Sequence, residues 1–226
     1  MTIISGYVDG MLDGTVPKNK RMQYLSIVSQ EMQRLKILIS SMLNLTKFDN
    51  GTIEIHYQFF PIQDLAFRTI LMFESRLEKR NITLEGLDSE PVQVWGDPDL
   101  IGQVIYNLFE NATKFVNTGG TITFTFKDEP NNTSIAIRNT GAGISKEELP
   151  KIFERFYKSD DSRSHDKTGL GIGLDITKHI VRLHKAQISV SSEEGEYTEF
   201  LIRLPKKDAP AESPTENPEK QPKDAR

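Results

Sequence analysis

The stretch Asp97 to Val116 constrains the fold of this chain more than any other, because its side chains suit a helix with two committed faces. At about 100° per residue, Ile101, Ile105, Leu108 and Ala112 fall within one arc, which predicts packing against a sheet. Asp97-Pro98 supplies an N-cap and a residue suited to the first helical position. Asn107, Asn111 and Lys114 fall in a narrow stripe roughly opposite the apolar arc. Asn is a mediocre helix former because its amide competes for backbone hydrogen bonds, so two of them one turn apart call for an explanation. An ordinary solvated face is one reading. The other is a polar wall on which an amide oxygen coordinates magnesium and the lysine stands near phosphate, since Mg²⁺ needs few protein ligands when phosphates supply others.

The rest of the chain alternates between helical and extended patterns. Pro61 opens a predicted helix reaching about Arg80, Val92 and Val94 mark a strand, and Ile122, Phe124 and Phe126 form a hairpin with Ile135 and Ile137. Ser145 with Glu148 predicts a capping box and a short helix. A final helix follows the glycines at Gly169 to Gly173, and two last strands carry Ile188, Val190, Phe200, Ile202 and Leu204. This order predicts an α/β fold of the two-layer α+β kind over residues 51–205, with helices on one face of a mixed, mostly antiparallel sheet.

Residues 1–50 read as a helical hairpin with a shortened first arm. Ile3, Ile4, Tyr7, Val8, Met11 and Leu12 form one amphipathic stretch, Asp13-Gly14-Thr15-Val16-Pro17 breaks it, and a longer helix runs from about Lys18 to Phe48. There Leu25, Val28, Met32, Leu35, Ile39 and Met42 alternate spacings of three and four, the seam of packed helices. Such a seam on a single hairpin predicts a homodimer closed as a four-helix bundle, although a monomeric helix pair would also use it. Residues 206–226 hold prolines among Lys, Glu, Asp and Ala, without an aromatic or β-branched aliphatic residue, and read as a disordered tail.

Two further segments carry potential chemistry. Arg138-Asn139-Thr140-Gly141-Ala142-Gly143-Ile144 follows a strand, where paired glycines let backbone approach a ligand and a short polar side chain can read a base edge, or simply make a flexible turn. Thr168-Gly169-Leu170-Gly171-Ile172-Gly173-Leu174 opens a helix, where unpaired N–H groups and the positive dipole end face an anion. Its spacing matches neither the dinucleotide fingerprint nor the P-loop. Between them lie Phe153-Glu154-Arg155-Phe156-Tyr157 and a polar run from Lys158 to Thr168 without an aliphatic residue, which reads as a mobile lid.

Composition removes several alternatives. The chain has no cysteine, which excludes disulfides, thiolate zinc sites and cysteine nucleophiles. A net charge of −4 argues against a nucleic-acid binder built on phosphate contacts, and no apolar run approaches the length of a membrane span.

Taken in order, these segments resemble the histidine kinase family, within the wider group of ATPases that includes gyrase and MutL. Asn107-Leu-Phe-Glu-Asn111-Ala-Thr-Lys114-Phe115 is similar to its N box, Asn139-Thr-Gly141-Ala-Gly143 to its G1 box, Phe153-Glu-Arg155-Phe156 to its F box and Gly169-Leu-Gly171-Ile-Gly173-Leu to its G2 box. The resemblance covers Met1 to about Pro205. It implies a Bergerat-type ATP-binding fold and ATP with Mg²⁺ as cofactors. Asn111 would ligate the metal with Asn107 in support, Lys114 and Arg155 would contact phosphates, and Phe115 would lie against the nucleotide. Thr168, Gly169, Leu170, Gly171 and Gly173 would form the phosphate-facing start of the helix, and Asn139, Gly141 and Gly143 would meet the base. It further implies transfer of the γ-phosphoryl to a histidine and on to a response-regulator aspartate, in a cytoplasmic segment of a membrane-anchored parent.

The sequence departs from the family pattern in three places. Asn139 stands where the G1 box usually has Asp, which predicts retained adenine selectivity with weaker binding, because a neutral acceptor replaces a charged one. Tyr197 stands where a second glycine is expected before Thr198. The family's His-Glu-x-x-Thr/Asn-Pro acceptor segment would fall just upstream of Met1, and His56, His165, His179 and His184 lack its context. The expectation is therefore a chain that binds Mg-ATP without phosphorylating itself, its catalytic acceptor and acidic base both missing. Two other readings remain open: a nucleotide-binding dimeric module without kinase activity, and a gyrase-like ATPase in which Glu110 serves as base.

Overall fold

The computed structural model describes residues 2–29, 31, 32, 35, 39, 53–158 and 171–207. Thr168, Gly169, Leu170, His165, most of the predicted lid and the predicted tail beyond Lys207 lie outside them. Two compact units divide at Ile55 and His56.

The first unit begins with α1 (Thr2–Leu12). Asp13 closes it by accepting at Oδ1 from the Thr15 N–H at 2.9 Å and the Thr15 hydroxyl at 2.6 Å. A 3-10 turn at Lys18–Lys20 leads into α2, described at 21–29 and helical again at 31, 32, 35 and 39. The Tyr7 and Tyr24 rings, 4.9 Å apart, join the two arms. The predicted break therefore falls at Asp13 to Pro17, while the stretch towards Phe48 lies outside the described residues.

In the second unit, β1 (Gln58–Pro61) pairs antiparallel with β3 (Gln93–Gly96) as a separate ribbon, and α3 (Ile62–Lys79) and β2 (Thr83–Glu85) lie between them in the chain. Then come α4 (Pro98–Phe115), β4 (Thr121–Asp128), β5 (Asn132–Thr140), α5 (Gly173–Leu183), β6 (Gln187–Glu193) and β7 (Tyr197–Pro205). The main sheet has the order β2-β4-β5-β7-β6, with only β2 and β4 parallel. α4 packs between α3 and α5 and against β5. Its Ile101, Ile105, Leu108 and Ala112 are buried, together with Val104 and Phe109, so the apolar arc is wider than the four residues predicted. The Phe109 ring meets Phe124 of β4 at 5.4 Å. Alternation along β4, β5 and β7 turns Ile122, Phe124, Ile135, Ile137, Phe200, Ile202 and Leu204 inward.

Two local expectations differ from the structure. β1 and β2 form where no strand is predicted, because four- and three-residue segments gain their ladders from distant partners. The short helix after Ser145 does not form: residues 146–150 are turns, although the Ser145 hydroxyl still reaches the Glu148 carboxylate at 3.2 Å.

Candidate functional site

Three of the singled-out segments meet around the C-terminal half of α4. That helix is fixed at its start by Asp97, whose Oδ1 accepts from the Asp99 and Leu100 N–H groups at 3.0 and 3.2 Å. Its Oδ2 accepts from the His56 N–H at 2.9 Å. At the other end Val116 turns extended and bridges to Gly141. A β-carbon at Gly141 would run into the Phe115 carbonyl oxygen and crowd the Asn139 amide, so only glycine lets the end of β5 come this close to α4. Gly143, at φ 71°, is in the left-handed region, and its missing β-carbon would strike the Glu193 carbonyl.

Asn107 is 6% exposed, so it does not sit on a solvated face. Its Nδ2 donates to the Gly173 carbonyl at 3.0 Å and reaches the Thr177 hydroxyl at 3.4 Å, joining α4 to the first turn of α5. Asn111, Lys114 and Phe115 are half-buried, and the Lys114 ammonium lies 3.3 Å from the Glu110 carboxylate.

Asn139 is buried in β5 between Ile122 and Thr198, with Nδ2 donating to the Thr140 carbonyl at 3.1 Å. Beside it runs a hydroxyl network that sequence patterns did not point to. The Ser192 Oγ accepts from the Ile144 N–H at 2.8 Å, donates to the Tyr197 carbonyl at 2.6 Å and lies 3.0 Å from the buried Thr198 hydroxyl. Ser192 and Thr198 share the inward phase of Val190 and Phe200, so polar residues at core-facing positions were the available signal.

The F-box-like segment reaches α5. The Phe156 N–H donates to the Gly171 carbonyl at 3.0 Å, and the Arg155 Nε donates to the Asp175 carboxylate at 3.1 Å. The Phe153 ring packs edge-on against Phe200. Among the described residues no side chain caps the start of α5, so its first-turn N–H groups and positive dipole end suit an anion.

The donor set is one of amide oxygens, cations and backbone N–H groups. Among the described residues no group of three or more His, Asp or Glu side chains could hold a metal ion. Nor is any helix there long and apolar enough to cross a membrane.

Comparison with known proteins agrees with this geometry. Residues 96–208 match the family described as histidine kinase-, DNA gyrase B-, and HSP90-like ATPase. The sensor protein SrrB of Staphylococcus aureus is 31% identical over 91% of this chain and 36% of its own length, so the chain spans about a third of that relative. The catalytic domain of the histidine kinase ThkA is 27% identical with a TM-score of 0.58, covering 66% of this chain and 95% of the domain. ThkA in complex with the response regulator protein TrrA gives 24% identity and a TM-score of 0.59, over 90% of this chain and 57% of the other. ShkA, solved in complex with AMPPNP, shares the fold at 20% identity and a TM-score of 0.64, over 82% and 38% of the two chains. The chain belongs to the family of histidine kinase-, DNA gyrase B- and HSP90-like ATPases, as a catalytic domain of the sensor histidine kinase kind.

Proposed function

We propose that this chain binds Mg-ATP across the end of α4, the glycine turn after β5 and the start of α5, as the ATP-binding catalytic portion of a two-component sensor kinase. The observation that carries this reading is the bond from Asn107 to the Gly173 carbonyl, which brings the amide stripe of α4 to an uncapped helix N-terminus. The AMPPNP bound to ShkA, which shares this fold, adds support.

The residues fit the ligand. An amide oxygen of Asn111 is a hard, neutral ligand for Mg²⁺, which would draw its remaining ligands from phosphate oxygens and water. Lys114, Arg155 and the start of α5 with Gly171 and Gly173 neutralise phosphate charge, a role that the family resemblance extends to Thr168, Gly169 and Leu170. Asn139 accepts from the adenine amino group, with Gly141 and Gly143 giving the base close access. The bound Mg-nucleotide supplies the phosphoryl group. The protein contributes charge neutralisation and positioning, which account for most of the catalysis in phosphoryl transfer. The phosphoryl group passes to a histidine other than the four of this chain, and then to a response-regulator aspartate, a partnering supported by the ThkA–TrrA complex.

The functional organisation follows: helices in 1–50 for homodimerisation, 51–205 for nucleotide, 206–226 as a tether, in a cytoplasmic setting. Leu25, Met32 and Ile39 of the seam are each about half exposed, which suits a second copy of the hairpin. The ion pair between Glu110 and Lys114 counts against Glu110 as a gyrase-like base.

Calorimetry tests the reading. Mg-ATP is expected to bind with measurable heat, and Asn111→Ala to weaken it by about tenfold or more, roughly the loss of one well-placed polar contact to a charged ligand. No heat from the unsubstituted chain with magnesium present would sink it.

A further inference from the structure

Among the described residues only two acidic side chains are buried, Asp97 and Asp175, each 6% exposed. Burial of a carboxylate is costly unless charge or hydrogen-bond donors meet it. Asp97 is accounted for as the cap of α4. Asp175 lies in the first turn of α5, yet it caps nothing there. Its Oδ2 instead accepts from the Arg155 Nε at 3.1 Å, and its Oδ1 stands 3.4 Å from Nδ1 of His179 one turn further on.

Arg155 comes from a segment of turns, 151–156, that belongs to no helix or strand. The next residue, Phe156, holds a left-handed backbone at φ 65° and is 66% exposed, so its own packing does not explain that conformation. The conformation accompanies the bond from its N–H to the Gly171 carbonyl. The segment is thus tied at two points to the start of α5, by main chain at Gly171 and by side chain at Asp175. A guanidinium bound through Nε to a carboxylate on a rigid helix has its plane fixed, whereas the same side chain on a bare turn would sweep through many rotamers.

We propose that Asp175 is a positioning residue: it fixes the Arg155 guanidinium beside the uncapped start of α5, where the polyphosphate of a nucleotide would sit. This rests on the nucleotide reading of the site. Asp175 acts on the polyphosphate through the Arg155 guanidinium rather than by a contact of its own.

The test is a double-mutant cycle on the full chain, titrated calorimetrically with AMPPNP, ADP and adenosine in magnesium buffer. Asp175→Asn, which keeps the shape and removes the charge, is expected to weaken AMPPNP and ADP about tenfold and leave adenosine unchanged. In an Arg155→Ala background the same substitution should add no further loss. Asp175→Glu should recover part of the affinity. If circular dichroism shows Asp175→Asn unfolded, Arg155→Lys, which keeps the charge but lacks the Nε donor, is expected to give the same polyphosphate-selective loss. Unchanged or tighter AMPPNP binding, an equal loss for adenosine, or additive losses in the cycle would overturn the proposal. A wild-type chain that binds no nucleotide overturns the site reading itself, and is recognised before any variant is made.

Discussion

Asn139 and His184 show how burial decides what a polar side chain does here. Asn139 is buried and spends its N–H on the Thr140 carbonyl. Replacing it with Asp supplies a charged acceptor for the adenine amine but removes that donor and buries a carboxylate. Asn139→Asp is therefore expected to bind ATP several-fold more tightly, by calorimetry, while losing about 1 to 2 kcal/mol of stability, by urea denaturation. His184 is 2% exposed with both ring nitrogens engaged: Nε2 accepts the Asp97 N–H at 3.1 Å, which requires the proton on Nδ1, 2.8 Å from the Ile180 carbonyl. Burial pushes its pKa below the ordinary 6.5, although the Ile180 carbonyl and the Asp97 charge act the other way. The unfolded chain then binds more protons than the folded one as pH falls below 6.5, so stability declines from there down to the lowered folded value. Urea midpoints from about pH 7.5 to about pH 5.5 should fall, and His184→Gln should flatten that slope.

At the scale of the element, α4 depends on its two ends. Asp97→Ala removes acceptors for the Asp99, Leu100 and His56 N–H groups, and a cost of about 1 to 2 kcal/mol is expected in chemical denaturation. Gly141→Ala should be worse, because the added carbon meets backbone at Phe115 rather than a side chain that can move. A drop in thermal midpoint smaller than that of Asp97→Ala would contradict this. α4 was readable in advance because its cap, proline and apolar period are all local. The same local signal misled at Ser145, where the serine–glutamate pair forms but 146–150 stay as turns. A capping box helps only a helix whose apolar face has something to cover. β2 was unreadable for the opposite reason: three residues acquire their ladder only by lying parallel to β4, 38 positions further on at Thr83 and Thr121.

For the whole molecule, the chain is expected to bind Mg-ATP and to show no acid-labile phosphohistidine after incubation with labelled ATP. Labelling of this chain alone would overturn that assignment. Light scattering is expected to give a dimer that Leu25→Lys with Ile39→Lys converts to monomer, because a charge in each exposed seam position opposes burial against a second copy. The helix-on-sheet order, the inward faces of β4, β5 and β7 and the amides of α4 followed from period, composition and spacing, which report on chain-local physics. The partners of those polar residues did not. Asn107 on Gly173, Ser192 beside Thr198 and Asp175 beneath Arg155 are separated along the chain by six to 66 positions. Which donor a buried amide or carboxylate meets depends on how the sheet and helices bring distant segments within hydrogen-bond reach, and that is set by packing alone.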